Sequence, residues 1–553
     1  MNRACLLLAS TLLATTTTAA SAAAPIDPLA QRLSAHDRIL GSDAFEGRGV
    51  ATRAETKTLA YIIGQFRAAG LAPGGDIRAG KREWTQAVPL LKSDFTAEPK
   101  VALHLPGGRA MSLAQGQEIS VRAPMDGSKR LALAKVPLVF VGYGVSAPER
   151  QWDDFKGVDV RGKMLVLLIN DPDIEGGEGQ FGGKAMTYYG RWTYKYEEAA
   201  RRGAAGVMIV HETGPAAYGW DTVKNSNGKT MFDIVRADPR AVHPAMESWI
   251  QRDTAKAIFA AAGLDFDTAK AAAKRRDFRP LDLRTTIDAS APVATAVITS
   301  HNVAGLLTGK RRPGETVIYS AHWDHLGIGK PDGRGDRIYN GALDNGTGVA
   351  QLIEQARLFA SETRTDRSLL FLAVTAEESG LLGSEYYATH PPYPLATTVG
   401  MLNTDGGSIY GRARDFSISG SAKLGLLDDL IEEGAKTGRR YAPDPHPERG
   451  HFFRSDHFSM AKAGVPAISF EAGDDLLQGG SARGDALKDD YTKRFYHQPG
   501  DEWQPSWDFA GMAEDTRLLH ALGRRLANSR EWPNWSKDSE FRAARDATAA
   551  QRR

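Results

Sequence analysis

Cysteine is almost absent from this chain. Cys5 is the only one in 553 residues, and it lies just ahead of a short apolar run, Leu6 to Ala14, that reads as the core of an export signal. Arg3 supplies the positive charge before the run, and Ala20-Ser21-Ala22 closes the segment as a small-residue cleavage site. Cleavage after residue 22 would leave a mature protein without a thiol, which excludes disulfides, thiolate-held metals and a cysteine nucleophile. A periplasmic or extracellular location is expected. Excess charge is also missing: 69 Lys and Arg stand against 67 Asp and Glu, a formal net charge of +2. With no basic stripe or RNA-binding signature, no nucleic-acid partner is expected. No apolar run reaches the ~20 residues that cross a bilayer, so stable membrane insertion is not expected either.

The apolar fraction of 42% and charged fraction of 25% are those of an ordinary folded protein, and the length exceeds what one core usually fills. Residues from about Asp27 to Leu71 read as helical. In "TKTLAYIIGQFRAAG", Leu59, Ile62, Ile63, Phe66 and Ala69 share one face and Gly70 stops the helix. From Val136, "VPLVFVGYGV" and "GKMLVLLI" are continuous apolar runs bounded by Gly and Pro, the signature of buried strands. After Pro292 strands alternate with helices, which predicts an α/β three-layer sandwich around a mixed, largely parallel sheet. The expected division is a signal peptide at 1–22, a discontinuous catalytic unit at 25–125 and 290–530, a β-rich insert at 130–288, and a polar tail at 531–553 that reads as a solvated helix.

Five stretches place imidazole or carboxylate groups at predicted strand ends: His322 to His325 in "YSAHWDHLG", Asp344 in "NGALDNGTG", Glu377-Glu378 in "VTAEESG", Asp405 in "MLNTDGG" and His497 in "FYHQPGDEW". Each alone has an ordinary explanation. Asp before Asn-Gly forms turns, and paired glutamates suit a helix N-terminus. Together, in a fold that binds ligands outside the carboxyl ends of its strands, they describe a metal centre. Imidazole and carboxylate without thiolate suit zinc, with manganese or cobalt as competitors, whereas calcium and magnesium favour all-oxygen shells. Two ions and an activated water between them fit the number of donors. Adjacent glutamates then divide the work, one ligating and the other acting as general base.

These stretches resemble peptidase family M28, a group of zinc peptidases, through His322-x-Asp324, Asp344-Asn345, Glu377-Glu378, Asn403-Thr-Asp405 and Tyr496-His497, in the family's order, with "DAFEGRG" near the N-terminus. The resemblance implies that His322 and Asp405 serve one zinc, Glu378 and His497 the other, and Asp344 bridges them. It further implies Glu377 as general base, Asp324 as the carboxylate orienting His322, and Tyr496 as the hydroxyl facing the oxyanion; His325 is expected to take no part. The Asp344-Asn345 peptide resembles one that is often cis in the family. The middle block "VFVGYGVSAPERQWDDFKGVDVRGKMLVLL" resembles the protease-associated domain inserted in larger members, with Trp152, Tyr188 and Tyr189 available to a binding surface. Ser455, Asp456 and His457 resemble residues that border the substrate pocket.

The reading is therefore an exported dizinc exopeptidase acting on peptides, an aminopeptidase that attacks the scissile carbonyl with a metal-bridged hydroxide. A carboxypeptidase or dipeptidase is the alternative, for which Arg412, Arg414, Arg449 and Arg454 are candidate grips on a substrate carboxylate. A glutaminyl cyclase and a non-catalytic binding protein are further rivals.

Overall fold

The computed structural model describes residues 27–177 and 179–552; the expected signal segment at 1–22 lies outside the described residues. Among them, no helix is long and apolar enough to cross a membrane. The principal elements of the first half are α1 (Pro28–Leu40), α2 (Arg53–Ala68), β1 (Thr85–Phe95), β2 (Lys100–Leu105), β3 (Arg130–Phe140), β4 (Met164–Leu168), α3 (Trp192–Arg201), β5 (Gly206–His211), β6 (Met231–Ile234) and β7 (Met246–Gln251). The second half adds β8 (Leu281–Leu307), β9 (Arg312–His322), α4 (Thr347–Ala360), β10 (Arg367–Val374), α5 (Leu382–Thr389), β11 (Thr398–Thr404), β12 (Asp415–Ile418), α6 (His457–Lys462), β13 (Ala467–Ala472) and α7 (Ala510–Asn528).

The helical start follows its sequence signals. Asp27 caps α1 by accepting the Leu29 N–H at 2.9 Å, and Pro28 occupies a position where its missing N–H costs nothing. Of the face expected on α2, Ile62 and Phe66 are fully buried, with Leu59, Ile63 and Ala69 packed at the edge of the same core.

Strand β8 is the structural link of the molecule. Its first half pairs antiparallel with β2 and β3, and its second half with β1 and then β10. One continuous strand thus belongs to two sheets. In the first, β3, β4, β5 and β7 run parallel. Although the stretch to residue 125 was expected to accompany the catalytic unit, β2 lies in this first sheet. Its Val101, Leu103 and Leu105 alternate inward against Leu283, Ile287, Ala289 and Ala291 of β8 in one core, the period of two that a half-buried strand requires.

The second sheet has the order β6-β1-β8-β10-β9-β11-β13-β12, with β6 antiparallel to β1 at one end. The four strands β10, β9, β11 and β13 are parallel, and β1, β8 and β12 are antiparallel to their neighbours. Strands β9 to β11 are rich in Val, Ile, Leu and Phe and nearly wholly buried because helices cover both faces. Val317 and Tyr319 pack on one side with Val349 and Leu352 of α4 and Leu519 and Leu522 of α7. Ile318 points the other way, toward Leu370, Tyr387 of α5 and Met460 of α6. The α/β three-layer sandwich is as expected.

The tail is not solvated as its composition predicts. Trp535 and Phe541 are buried against Phe452, Phe453 and Phe458. Arg545 is buried and donates to the Thr398 and Val399 carbonyls at 2.9 and 3.3 Å, at the start of β11. Glu540 accepts the Tyr188 N–H at 3.0 Å, so the tail also touches the insert. Only a few anchors in a polar segment do this, and hydropathy averages them away.

A buried charge cluster fastens the insert to α5. His243 lies 2.7 Å from Glu247 and 2.9 Å from Asp233, and Arg236 joins Asp233 at 2.7 Å to Glu385 of α5 at 2.8 Å. Burial by itself would lower the His243 pKa, but the Glu247 and Asp233 carboxylates outweigh it and raise it to about 9. A folded-state pKa raised above the ordinary 6.5 means that the stabilisation is complete below pH 6.5 and lost as pH rises through 9. The stability difference between the wild-type protein and His243→Gln, measured by denaturant unfolding, is expected to be on the order of 3 kcal/mol at pH 6 and to shrink toward pH 9.5.

Candidate metal centre

Parallel strands put their carboxyl ends on one edge of a sheet, and here three adjacent strands do so. β9 ends in His322 with β10 on one side, His322 facing Val374, and β11 on the other, Ser320 facing Asn403. Asp405 follows β11, and Glu377 and Glu378 follow β10. Ala376, just before the glutamates, sits at φ 53°, which costs a residue with a Cβ about 1 kcal/mol. Its neighbour's N–H is then free to meet Asp324: that carboxylate accepts from the Glu377 N–H at 3.1 Å and the Glu378 N–H at 3.4 Å.

Asp324 therefore holds the glutamate turn. The His322 Nδ1 lies 3.9 Å from the Asp324 carboxylate but 3.0 Å from the Asp324 backbone carbonyl, so the ring is oriented chiefly by main chain. The task expected of the Asp324 carboxylate, orienting His322, thus falls to its backbone carbonyl, while the carboxylate meets the Glu377 and Glu378 N–H groups.

Asp344 arrives on an irregular turn at 340–346, with the Asp344-Asn345 peptide cis. Such backbone has no strand or helix partners, so its polar groups must be met otherwise. Arg48, wholly buried, donates to the carbonyls of Asn340 at 2.7 Å, Gly341 at 2.6 Å and Asp344 at 3.4 Å, as well as Leu40 at 2.9 Å and Trp323 at 2.8 Å. Asp501, also buried, accepts the Leu343 and Asp344 N–H groups at 3.0 and 3.1 Å. Asn345 donates to the Thr404 carbonyl at 3.0 Å and accepts from Gly406 at 2.9 Å, tying the turn to the end of β11. Arg48 stands within "DAFEGRG" and Asp501 within "YHQPGDEW". Neither residue stands out in its stretch, because side chains that serve backbone groups leave no spacing pattern.

The donors converge. His322 Nε2 is 3.1 Å from Asp405 and 3.3 Å from Asp344. His497 Nε2 is 3.2 Å from Asp344 and 3.1 Å from Glu378. Two sets of three, His322 with Asp344 and Asp405, and His325 with Asp344 and Glu378, each place one donor atom per residue within 4.8 Å of the others. Asp344 belongs to both. His325, expected to stand aside, is buried with Nδ1 2.6 Å from Glu378. This donor set, imidazole and carboxylate with Asp344 shared, fits two divalent ions of the zinc type.

The two adjacent glutamates differ sharply. Burial pushes Glu377 well above the usual carboxylate range, with Asp405, Glu378 and Asp456 adding repulsion and His322 opposing them. Glu378 is pulled down to about 2: burial and Asp344 raise it, but His325 and His497 outweigh them. Neighbouring carboxyls driven apart in this way are how sites separate a proton carrier from a ligand. Tyr496, 46% exposed at the mouth, stacks on His497 with ring centroids 3.9 Å apart.

The remaining sequence candidates divide. Ser455 accepts from Asn403 at 2.8 Å, and Asp456 and His457 are buried behind the centre, where burial brings their pKa values up to about 7 and down to about 3. Arg412 and Arg414 are engaged with Glu514 and Asp475, each at 3.1 Å; Arg454 lines a cavity that also reaches Glu377 and Glu378.

Residues 302–520 match the sequence profile of peptidase family M28. The segment so matched is called the M28 domain, after the family it is similar to. Aminopeptidase YwaD of Bacillus subtilis (strain 168) is 34% identical over 179 residues, 32% of this chain and 36% of the relative. A probable zinc metalloprotease of Pyricularia oryzae is 34% identical over 148 residues, 27% of this chain and 24% of the relative. The chain thus aligns with roughly a third or less of these relatives' lengths. Among solved structures, an aminopeptidase from Aneurinibacillus sp. strain AM-1 superposes at TM-score 0.47 with 18% identity, over 91% of this chain and 95% of that one. The M28 domain contains all five strand-end stretches, whereas Arg48 reaches it from outside the matched segment.

Replacing Asp501 by Asn keeps the shape of the side chain but removes its charge beside the Asp344 turn. The variant is expected to remain folded by far-UV circular dichroism and to bind zinc 10- to 100-fold more weakly in calorimetric titration, the usual effect of losing a group that supports a ligand.

Proposed function

We propose that the protein is an exported dizinc exopeptidase that removes N-terminal residues from peptides. The observation that carries this reading is the pair of donor sets sharing Asp344, with the protonatable Glu377 beside them and not counted in either set. His322, Asp344 and Asp405 would hold one ion, and Asp344, Glu378 and His497 the other, with His325 against Glu378; manganese or cobalt could replace zinc. Two divalent ions so held would supply Lewis acidity to a scissile carbonyl and to the attacking water.

The chain's own groups then carry the protons. Glu377 takes one from the water and delivers it to the leaving amine. The Tyr496 hydroxyl, on a ring fixed by His497, donates toward the developing oxyanion. Asp324 keeps Glu377 and Glu378 at their separate posts through the turn's N–H groups. The choice of the amino end follows the name of the Bacillus relative. A carboxypeptidase or dipeptidase is favoured by one feature, Arg454 in the cavity beside Glu377.

With zinc restored after chelation, aminoacyl reporter peptides are expected to be cleaved and N-blocked ones not. Glu377→Gln should lower kcat by about 10³-fold with the zinc content unchanged. Equal turnover of N-blocked peptides would move the reading to another chain end, and a fully active Glu377→Gln would remove the proposed base.

A further inference from the structure

The cavity that ends at Glu377 and Glu378 has a volume of about 620 Å³ and is walled on one side by the insert and on the other by the M28 domain. That is room for two or three residues of a peptide. Its walls are heavily charged, and nearly every charge is answered within the protein. Glu247 pairs with Arg122 at 2.8 Å and with His243, Asp233 and Glu385 with Arg236, and Glu197 with Lys462 at 2.7 Å.

Two guanidiniums are left over. Arg191, from the insert, precedes α3; its Nε is buried without a hydrogen-bond partner, and its planar group lies 5.7 Å from the Trp192 ring. Arg454, from the M28 domain, donates to the Arg449 carbonyl at 2.9 Å. No carboxylate is among the groups that act on either of them. Burial, together with the like charge of Arg454, lowers Arg191 to about 10, and Arg454 is near enough to Tyr496 to feel its hydroxyl. Arg191 is half-buried and Arg454 exposed, so the unmet cost falls on Arg191, a guanidinium drawn partly out of water with no anion beside it among the described residues. An incoming carboxylate relieves it and can be shared by Arg454, and the planar fork of an arginine matches it with two parallel hydrogen bonds.

We infer that Arg191 and Arg454 form an anion subsite that selects peptides bearing a carboxylate near the scissile bond. This rests on the peptidase reading and names its substrate class. The carboxylate has two sources, the free C-terminus of a short peptide or an acidic side chain. The insert contributes half of the subsite, so it takes part in substrate choice directly.

The test compares four peptides on the zinc-loaded protein: Leu-Leu with a free and with an amidated C-terminus, and Leu-Glu-amide with Leu-Gln-amide. Within one pair or the other, the anionic peptide is expected to have a KM at least 10-fold lower, and the pair that shows it identifies the source. R191Q and R454Q should each bring that KM ratio toward one, with R191K as a variant that keeps the charge and loses the fork. Zinc-dependent cleavage of all four peptides with equal KM would overturn the subsite and leave the peptidase reading intact. If no peptide is cleaved, the peptidase reading fails, and the quenching of tryptophan fluorescence by the same pairs still decides the subsite: equal binding of acid and amide overturns it.

Discussion

Four carboxylates, Asp344, Glu377, Glu378 and Asp405, are brought into one pocket with His322, His325 and His497, and their mutual repulsion is the constraint to which the surrounding structure answers. Asp344 and Asp405 in one donor set, and Asp344 and Glu378 in the other, bring donor oxygens within 4.8 Å of each other, a spacing at which two carboxylates repel unless protons or cations stand between them. The protein meets the cost through rigidity. Parallel strands deliver three of the groups from a wholly buried sheet. The fourth, Asp344, comes from a turn whose carbonyls are gathered by Arg48 and whose amides are gathered by Asp501. A buried cation and a buried anion, on segments some 450 positions apart in the chain, thus hold one loop from its two polar sides.

The fold was legible to the extent that it is periodic. Apolar runs separated by Gly and Pro announced the strands of both sheets, and the alternation after Pro292 announced the layers. The continuity of β8 was not legible, because its alternating residues look the same on either side of Pro292 while the partner strands change. The site was legible wherever a ligand type follows a strand run, as with His322, Glu377 and Asp405. His325 was set aside because a histidine that contacts Glu378 across the pocket has no local signature. Arg48 and Asp501 were silent for the same reason, since most of their partners are backbone groups, and Arg191 has no carboxylate partner among the described residues. The tail shows the converse error, where polar composition hid Trp535, Phe541 and Arg545.

The insert and the M28 domain are tied at several points. β8 runs through both sheets, Arg236 joins Asp233 to Glu385 of α5, and the tail lies across Tyr188 and the aromatic cluster around Phe458. A cavity wall supplied by the insert is therefore held at a fixed place relative to the metal donors, which is what substrate selection by Arg191 requires.

The central claim is that Asp344 serves two ions at once. Zinc titration of the metal-free protein, followed by calorimetry and by metal analysis after gel filtration, tests it most directly. The wild-type chain should take two ions, Asp405→Ala should keep one, and Asp344→Ala should retain neither tightly. A single ion per chain in the wild type, or an Asp344→Ala variant that still takes up two, would contradict the account.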